Sequence, residues 1–472
     1  MVASRCCVDG ARSLACVALV GLLWPASAVA AGTQTQLAAL LQAPLAGAER
    51  GQTIEPAASR RSGDESALRI VSELEEPGTL PGLRAHARLG LELPLEQLTH
   101  AALGLRDLSS HVGVAWAGEG ATLTLRSFPF DTDYLRLGQL RWLSWGGTDT
   151  ARGESIFVDQ EGGAPGVELS LELPAVRLFA ACKWTSQAQQ ARRVGGLFGG
   201  TFKPRAWLRL DAGFGYFERA PAAVGLPASF AEGASLRLVV GGAALEPDLA
   251  AEPFRPPSLR SEMEAFQEPA SRGASLALEV VTVAQRVRRA GDVARFEVVP
   301  APGAALYGSA RGAIVAAHAA VGWRSAELLL LGSHGLIAGE GLPRGASFGE
   351  LSSWLGLSAE LLPLSLTPSL QVAAQLPAAL QLPSSVPGAA QTLLVRSGAQ
   401  VEALPLGAGR LPVINVRAGA RFAASRSVSL SLFLDYEHDS NRVGWRSTAV
   451  GPARSFVEPD GVTLTAASWA RF

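Results

Sequence analysis

Two residues near the end of the chain have the spacing of a general base and a nucleophile. His438 and Ser440 are separated by Asp439 and directly follow a segment in which apolar residues alternate with polar ones. Side chains two positions apart in a strand lie on one face, so the imidazole would be adjacent to the hydroxyl and could accept its proton. The same residues have a plain interpretation, because Asp-Ser-Asn is also typical of a turn at a strand end. Catalysis by His438 and Ser440 is therefore a hypothesis with an open alternative.

The segment from His438 to Asn441 resembles the His-x-Ser-Asn motif of outer-membrane lipid hydrolases, the phospholipase A and lipid A deacylase barrels. The resemblance implies that His438 is the base and Ser440 the nucleophile, with Asn441 as a neighbour within the motif. By parity the pair continues the apolar face of the preceding strand, which would be the lipid side of a barrel wall.

This sequence departs from the motif at Arg442, where a small residue is usual after the asparagine, and the hydrolase barrels are far smaller than this chain. A triad also needs an acidic residue that orients the base. The resemblance does not identify that residue, and Glu458 and Asp460 on the following strand are both within reach.

Period-two alternation recurs from about residue 83 to the end of the chain. The two clearest segments are 414–422 and 428–436, in which apolar residues oppose Asn, Ser and charged residues. Such length, with charges on the minority face, is typical of transmembrane strands, whereas strands of soluble sandwiches average about five or six residues. We therefore predict an all-β fold, an antiparallel transmembrane β-barrel of about 16 strands (roughly 14–18).

The final segment, 460–472, alternates in the same way and stops on Phe472. It resembles the closing strand of bacterial outer-membrane β-barrels, which typically end in Phe and use that strand as an assembly signal. The resemblance implies the outer membrane of a Gram-negative-type cell as the location. It also implies contact with outer-membrane lipid and with the barrel assembly machinery, through the strand that ends at Phe472.

The N-terminal part is organised differently from the rest. Residues 1–30 combine Arg5 and Arg12 with a short apolar run and small residues at the end, the pattern of a signal peptide. Residues 34–45 fit a short helix, and residues 49–78 are polar with scattered Pro and Arg. We predict a periplasmic N-terminal segment over 31–80 and the barrel over 81–472. No apolar run approaches about 18 residues, so residence in a membrane would require a closed barrel.

The connections give further expectations. With the C-terminus in the periplasm, 440–459 becomes an external loop and 423–426 a periplasmic turn, but the turn at 362–363 and the connection 377–390 then fall on inconsistent sides. The Pro-rich segment 246–272 is long enough for an external loop, either flexible or folded into the pore.

Two segments carry a weaker pattern than their neighbours. Residues 304–323 are rich in Ala and Gly and fit a strand or a helix. Residues 134–147 change phase near Gln139, which indicates a strand with a bulge.

The faces predicted to point into the lumen carry charges of both signs. In a barrel such charges set selectivity, although any polar lumen also needs paired charges merely to be satisfied. We expect Arg417 and Arg421 to pair with Asp435 and Glu437 across two strands. The mixture predicts no preference for anions or cations. The residues expected to line the pore are Arg177, Arg209, Asp211, Arg237, Arg417, Arg421, Asp435 and Glu437.

Composition excludes several classes of function. A net charge of -1 provides no basic surface for nucleic acid, and the six scattered histidines form no metal motif, so neither nucleic acid, metal nor cofactor is expected. A barrel of about 16 strands leaves an aqueous lumen, which favours a porin-like channel for passive passage of small polar solutes. Two alternatives stay open: an outer-membrane lipid hydrolase or deacylase using His438 and Ser440, and an exported soluble β-rich binding protein. The sequence also leaves a homo-oligomer open.

Overall fold

The computed structural model describes the strands and most of the short connections between them. The described residues are 33–46, 67–77, 80–94, 106–107, 110–130, 136–137, 143–144, 165–185, 193–220, 229–241, 273–288, 305–321, 324–339, 346–359, 361, 364–383, 390–396, 400–425, 428–448, 451–456 and 458–471.

The described chain consists of strands, turns and bends, with one residue in a 3-10 turn. The strands of the first half are β1 (Thr33–Ala46), β2 (Ala67–Pro77), β3 (Leu83–Pro94), β4 (Arg106–Asp107), β5 (His111–Gly118), β6 (Ala121–Phe128), β7 (Arg136–Leu137), β8 (Leu143–Ser144), β9 (Gly166–Glu172), β10 (Val176–Thr185), β11 (Arg193–Arg205), β12 (Leu208–Ala220) and β13 (Ser229–Gly241). Those of the second half are β14 (Gly273–Arg288), β15 (Ala305–Val321), β16 (Arg324–Gly339), β17 (Ala346–Ala359), β18 (Leu366–Leu376), β19 (Ala378–Pro383), β20 (Ala390–Arg396), β21 (Gln400–Ala403), β22 (Val413–Ala423), β23 (Val428–Asp439), β24 (Val443–Thr448), β25 (Gly451–Phe456) and β26 (Asp460–Arg471). No helix among the described residues is long and apolar enough to cross a membrane.

The main sheet closes on itself. It contains 19 strands, of which the two-residue β4 pairs only with β3. Each of the others pairs antiparallel with two neighbours, and the ring is completed where the first strand, β1, pairs with the last strand, β26. The protein is therefore an all-β antiparallel barrel of 18 strands, at the upper end of the predicted range.

The prediction of a periplasmic N-terminal segment over 31–80, with a short helix at 34–45, is wrong for most of the described part of that range. Residues 33–46 form β1 and residues 67–77 form β2, and both are strands of the barrel wall. Apolar residues of β1 such as Leu37 and Leu41 stand in register with Ala470 and Ala466 of β26. The polar composition of the connection between the strands hid this pairing. The predicted signal peptide, 1–30, lies outside the described residues.

Antiparallel pairing sorts the connections between two rims. We call the rim where β1 begins and β26 ends the turn rim, and the opposite one the loop rim. The connection 424–427 lies at the turn rim and 440–459 at the loop rim, as predicted. The inconsistency expected further back disappears, because β18 separates 360–365 at the turn rim from 377–412 at the loop rim.

The Pro-rich segment lies outside the described residues, but the two strand ends that it joins are at the rim opposite to the one predicted. Strand β13 ends at Gly241 and β14 begins at Gly273, and both residues lie at the turn rim. Residues 242–272 therefore connect two strand ends at the rim where the other connections are short. Their length suggested the loop rim, but the strand count decides the side.

The two faces of the wall have opposite chemistry. Outward positions carry exposed apolar side chains, such as Leu430, Leu432 and Leu434 at 49, 53 and 45%. Inward positions carry buried charged side chains, such as Arg209 and Arg237 at 0 and 1%. This is the distribution of a membrane-spanning barrel, and it contradicts the alternative of a soluble exported protein, in which such a band would face water.

The two segments of weaker pattern also differ from one another. Residues 305–321 are strand β15, paired along its length with β14 and β16. The predicted bulged strand over 134–147 is wrong, because the described part of this range forms only the short β7–β8 hairpin, outside the barrel sheet.

Candidate functional site

The lumen face carries charges in register on neighbouring strands. Asp211 of β12 stands opposite Arg237 of β13, which in turn stands opposite Glu279 of β14. On the other side, the Thr201 hydroxyl of β11 donates to Asp211 Oδ1 at 2.7 Å, and Arg209 Nε donates to the same oxygen at 2.7 Å. The inward side chains therefore form a row of alternating charge across three strands, β12 to β14, and the Thr201 hydroxyl of β11 extends the row to Asp211.

A second ion pair lies further round the same wall. Arg126 of β6 contacts both carboxylate oxygens of Glu168 of β9, at 3.0 and 3.2 Å. Arg177 of β10 stands in register with Glu172, and Lys183 of the same strand is 0% exposed. Most of the described charges on the inward face from β6 to β14 are thus buried, and both signs are present.

The wall formed by β22, β23 and β26 is different because its charges are partly exposed. Arg417 Nε donates to Asp435 Oδ1, confirming that predicted cross-strand pair, and Thr465 donates to the other Asp435 oxygen at 3.3 Å. The side chains of Arg417 and Asp435 are 22 and 26% exposed. Glu437 pairs with Arg442 at 2.8 Å, a partner that the sequence pattern did not indicate.

Apolar side chains interrupt the charges on the inward face. Leu197, Val239, Val281 and Phe433 are all nearly fully buried at inward positions. Since Glu168, Arg209, Arg237 and Glu279 are buried as well, these residues pack the inward face of β9–β14. Arg417 and Asp435, by contrast, are reached by solvent.

At the loop rim, on the outward face, the structure brings together the residues with catalytic spacing. Ser440 Oγ lies 2.8 Å from His438 Nε2, and His438 Nδ1 lies 2.8 Å from Asp460 Oδ1. The register of β23 with β26 sets His438 opposite Asp460, so of the two acidic candidates the structure brings Asp460 to the histidine. The hydroxyl and the carboxylate occupy opposite ring nitrogens, which is the arrangement of a Ser-His-Asp triad.

Neighbouring side chains hold these three residues in place. The Tyr436 hydroxyl donates to Asp460 Oδ1 at 2.6 Å, the oxygen that also contacts His438. Asn441 is 0% exposed, accepts from the Leu411 amide at 2.7 Å and donates to the Leu411 carbonyl at 2.5 Å. Asp439 N donates to the Pro459 carbonyl at 2.8 Å, which keeps the ends of β23 and β26 together.

Sequence reasoning missed Tyr436 and the role of Asn441. Tyr436 could have been found by parity, since it lies two residues before His438 on the same face. The contact between Asn441 and Leu411 joins residues 30 apart, at the two open ends of the β22–β23 hairpin, and no local pattern signals it.

No family model and no curated protein matches this sequence. Among solved structures, the chain is similar to three proteins of Pseudomonas aeruginosa: the outer membrane protein OpdK (13% identity, TM-score 0.45, covering 93% of this chain and 98% of that one), OccK3 (9%, 0.46, 93 and 95%) and OprD (10%, 0.45, 93 and 94%). Because these identities and TM-scores are low, the architecture is established by the strand pairing of the chain itself. The pairing of β1 with β26 closes the 18-stranded barrel.

Proposed function

We propose that this protein is a porin-like channel of the outer membrane, which lets small polar solutes pass passively through its lumen. The observation that supports the proposal is the closed 18-stranded wall with an apolar outer face and a charged inner face. A barrel of this strand number is wide enough to hold an aqueous lumen, whereas an eight-stranded barrel is filled by its own side chains. A charged inner face suits solutes that carry polar groups.

The distribution of burial favours one side of the lumen as the solute path. On β10–β13, Arg177, Arg209, Asp211 and Arg237 are between 0 and 9% exposed, so they act as packed wall. Arg417, Arg421 and Asp435 are partly exposed. We therefore assign the solute path to the wall of β22 and β23, with Arg417 and Asp435 as its charged pair.

Conductance across a planar bilayer tests the channel. The purified full chain is expected to give discrete conductance steps and to let sugars swell liposomes. Arg417→Glu places a second carboxylate beside Asp435, so the reversal potential in a salt gradient should move towards cation selectivity. Arg417→Lys keeps the charge and serves as the matched control, with the reversal potential expected to stay close to that of the unaltered protein.

A folded barrel that gives neither conductance nor swelling would overturn the channel. If Arg417→Glu conducts but has the same reversal potential as the unaltered protein, the solute path along β22 and β23 is refuted. Folding of each variant is checked by its electrophoretic mobility before and after boiling, since a closed barrel migrates differently once it is unfolded.

The partners follow from the same architecture. We propose that β26, the closing strand that pairs with β1, is the strand that the barrel assembly machinery recognises. Phe472, on which the expectation rests, lies outside the described residues. The exposed leucines of β23 give the outer-membrane lipid its contact surface.

A further inference from the structure

We propose that Ser440, His438 and Asp460 form a hydrolase site on the lipid side of the loop rim, which cleaves acyl esters of membrane lipids. The site is independent of the channel, because it lies on the opposite face of the wall. Either activity can therefore fail without the other.

The two contacts of His438 suit the tautomer that activates a nucleophile. In the tautomer protonated at Nδ1, the ring donates to Asp460 Oδ1 at 2.8 Å and leaves the lone pair of Nε2 facing Ser440 Oγ at 2.8 Å. Ser440 can thus donate its proton to His438 along an existing hydrogen bond. A serine that served only as a turn residue would not need a histidine held from behind by a carboxylate.

Tyr436 acts as a positioning residue for Asp460. Its hydroxyl donates at 2.6 Å to the carboxylate oxygen that faces His438, from a position one residue pair deeper in the wall. Asp460 is 47% exposed, so without this contact its side chain would be free to choose other rotamers. The tyrosine therefore keeps the carboxylate aligned with the ring.

The surroundings indicate the class of substrate. His438 is 35% exposed on the outward face, and below it on β23 follow Tyr436, Leu434, Leu432 and Leu430, all exposed. This apolar stripe lies along the hydrocarbon of a bilayer, and the triad stands at its upper end, at the level of the lipid head groups. An ester whose acyl chain runs down the stripe would place its carbonyl carbon next to Ser440.

The reaction balances with water as the second substrate. Ser440 Oγ attacks the ester carbonyl while its proton passes to His438 Nε2, and the tetrahedral adduct then expels the lipid alcohol, which takes that proton. His438 next accepts a proton from water, and the resulting hydroxide attacks the acyl-serine. Fatty acid leaves and Ser440 is protonated again, while Asp460 stays ionised throughout.

Release of free fatty acid by the full chain in detergent tests the site. One arm supplies glycerophospholipid vesicles and the other lipopolysaccharide micelles, because both present acyl esters at the head-group level. Release in either arm is expected, with a fluorophosphonate attaching to Ser440. Ser440→Ala should reduce release by about 10³-fold or more and abolish labelling, and Asp460→Asn should reduce it by about 10³–10⁴-fold.

Two further variants separate catalysis from structure. Tyr436→Phe keeps the ring but loses the hydroxyl, so kcat should fall by about 10-fold with KM unchanged. Ser425→Ala, at the opposite rim, is the matched serine control and should leave release intact. The proposal is overturned if the folded protein releases no fatty acid in either arm, or if Ser440→Ala hydrolyses as fast as Ser425→Ala. Ser440→Ala is expected to conduct like the unaltered protein, so failure of the hydrolase site can be distinguished from failure of the channel.

Discussion

Ser440 and Asn441 are adjacent in the rim turn, yet they face different surroundings. Ser440 contacts His438 on the outward side, while Asn441 is fully buried and binds both backbone groups of Leu411. The turn therefore has one residue suited to chemistry and one that fastens it to the segment entering β22. The 2.8 Å distance between the Ser440 hydroxyl and the His438 imidazole therefore depends on Asn441 as well as on Ser440.

Removing the Asn441 amide should destabilise the loop rim. In Asn441→Ala the amide and carbonyl of Leu411 lose their partners, at a cost of about 1–3 kcal/mol for each group that water does not reach. We expect a lower unfolding midpoint in urea, followed by the mobility difference between boiled and unboiled samples. The matched control is Asn415→Ala, the other asparagine of the chain. Equal midpoints for the two variants would contradict the fastening role.

Between strands, identical pairs of residue types have different consequences according to their burial. Arg126 and Glu168 join β6 to β9 with side chains 10 and 1% exposed. Arg84 and Glu75 join β3 to β2 at almost the same distance, 3.1 Å, with both side chains 60% exposed. When one residue of a buried pair is replaced, the other charge remains buried without a counter-charge. In an exposed pair the remaining charge is hydrated by solvent instead.

Glu168→Gln should therefore cost far more than Glu75→Gln. We expect a loss of about 3–5 kcal/mol for the buried carboxylate and less than about 1 kcal/mol for the exposed one. Urea unfolding in detergent micelles measures both. Replacing the buried pair together, as Arg126→Met with Glu168→Leu, should recover part of the loss. The expectation fails if the two single variants unfold at the same urea concentration.

The contact that closes the barrel joins the first and last described strands, β1 and β26. Ala39 of β1 is in register with Ser468 of β26, and Ser468 is in register with Leu430 of β23. The N-terminal strand is therefore a structural part of the barrel, and the wall would stay open without it.

A cysteine pair tests this closure. In a Cys182→Ser background, Ala39→Cys with Ser468→Cys should form a disulfide on oxidation, since directly paired residues lie within the distance that a disulfide spans. Ala39→Cys with Leu430→Cys is the matched control, because two strand spacings, about 9–10 Å, are too far to bridge. Comparable cross-linking in both pairs, or none in the first, would show that β1 does not close the barrel.

The alternation of residues was sufficient to predict the all-β barrel and the inward orientation of the charged residues. It also predicted that His438 and Ser440 lie next to each other on one face. The pattern works where one face is apolar and the other charged, as in β22 and β23. It failed at β1, whose Ala- and Gln-rich sequence has a weak contrast between faces, and at 242–272, where length gave the wrong rim. Asp460 was one of two candidates until the register of β26 with β23 decided between them.

Strand β23 serves two compartments with alternate residues. Asp435 and Phe433 belong to the lumen, while Tyr436 and His438 belong to the lipid side. Inserting or deleting one residue within this strand would move every later side chain of the strand to the opposite face. The imidazole of His438 would then point into the lumen, and the carboxylate of Glu437 would face the lipid. Point substitutions in β23 are therefore free to alter one compartment alone, but its length cannot vary by a single residue without changing both.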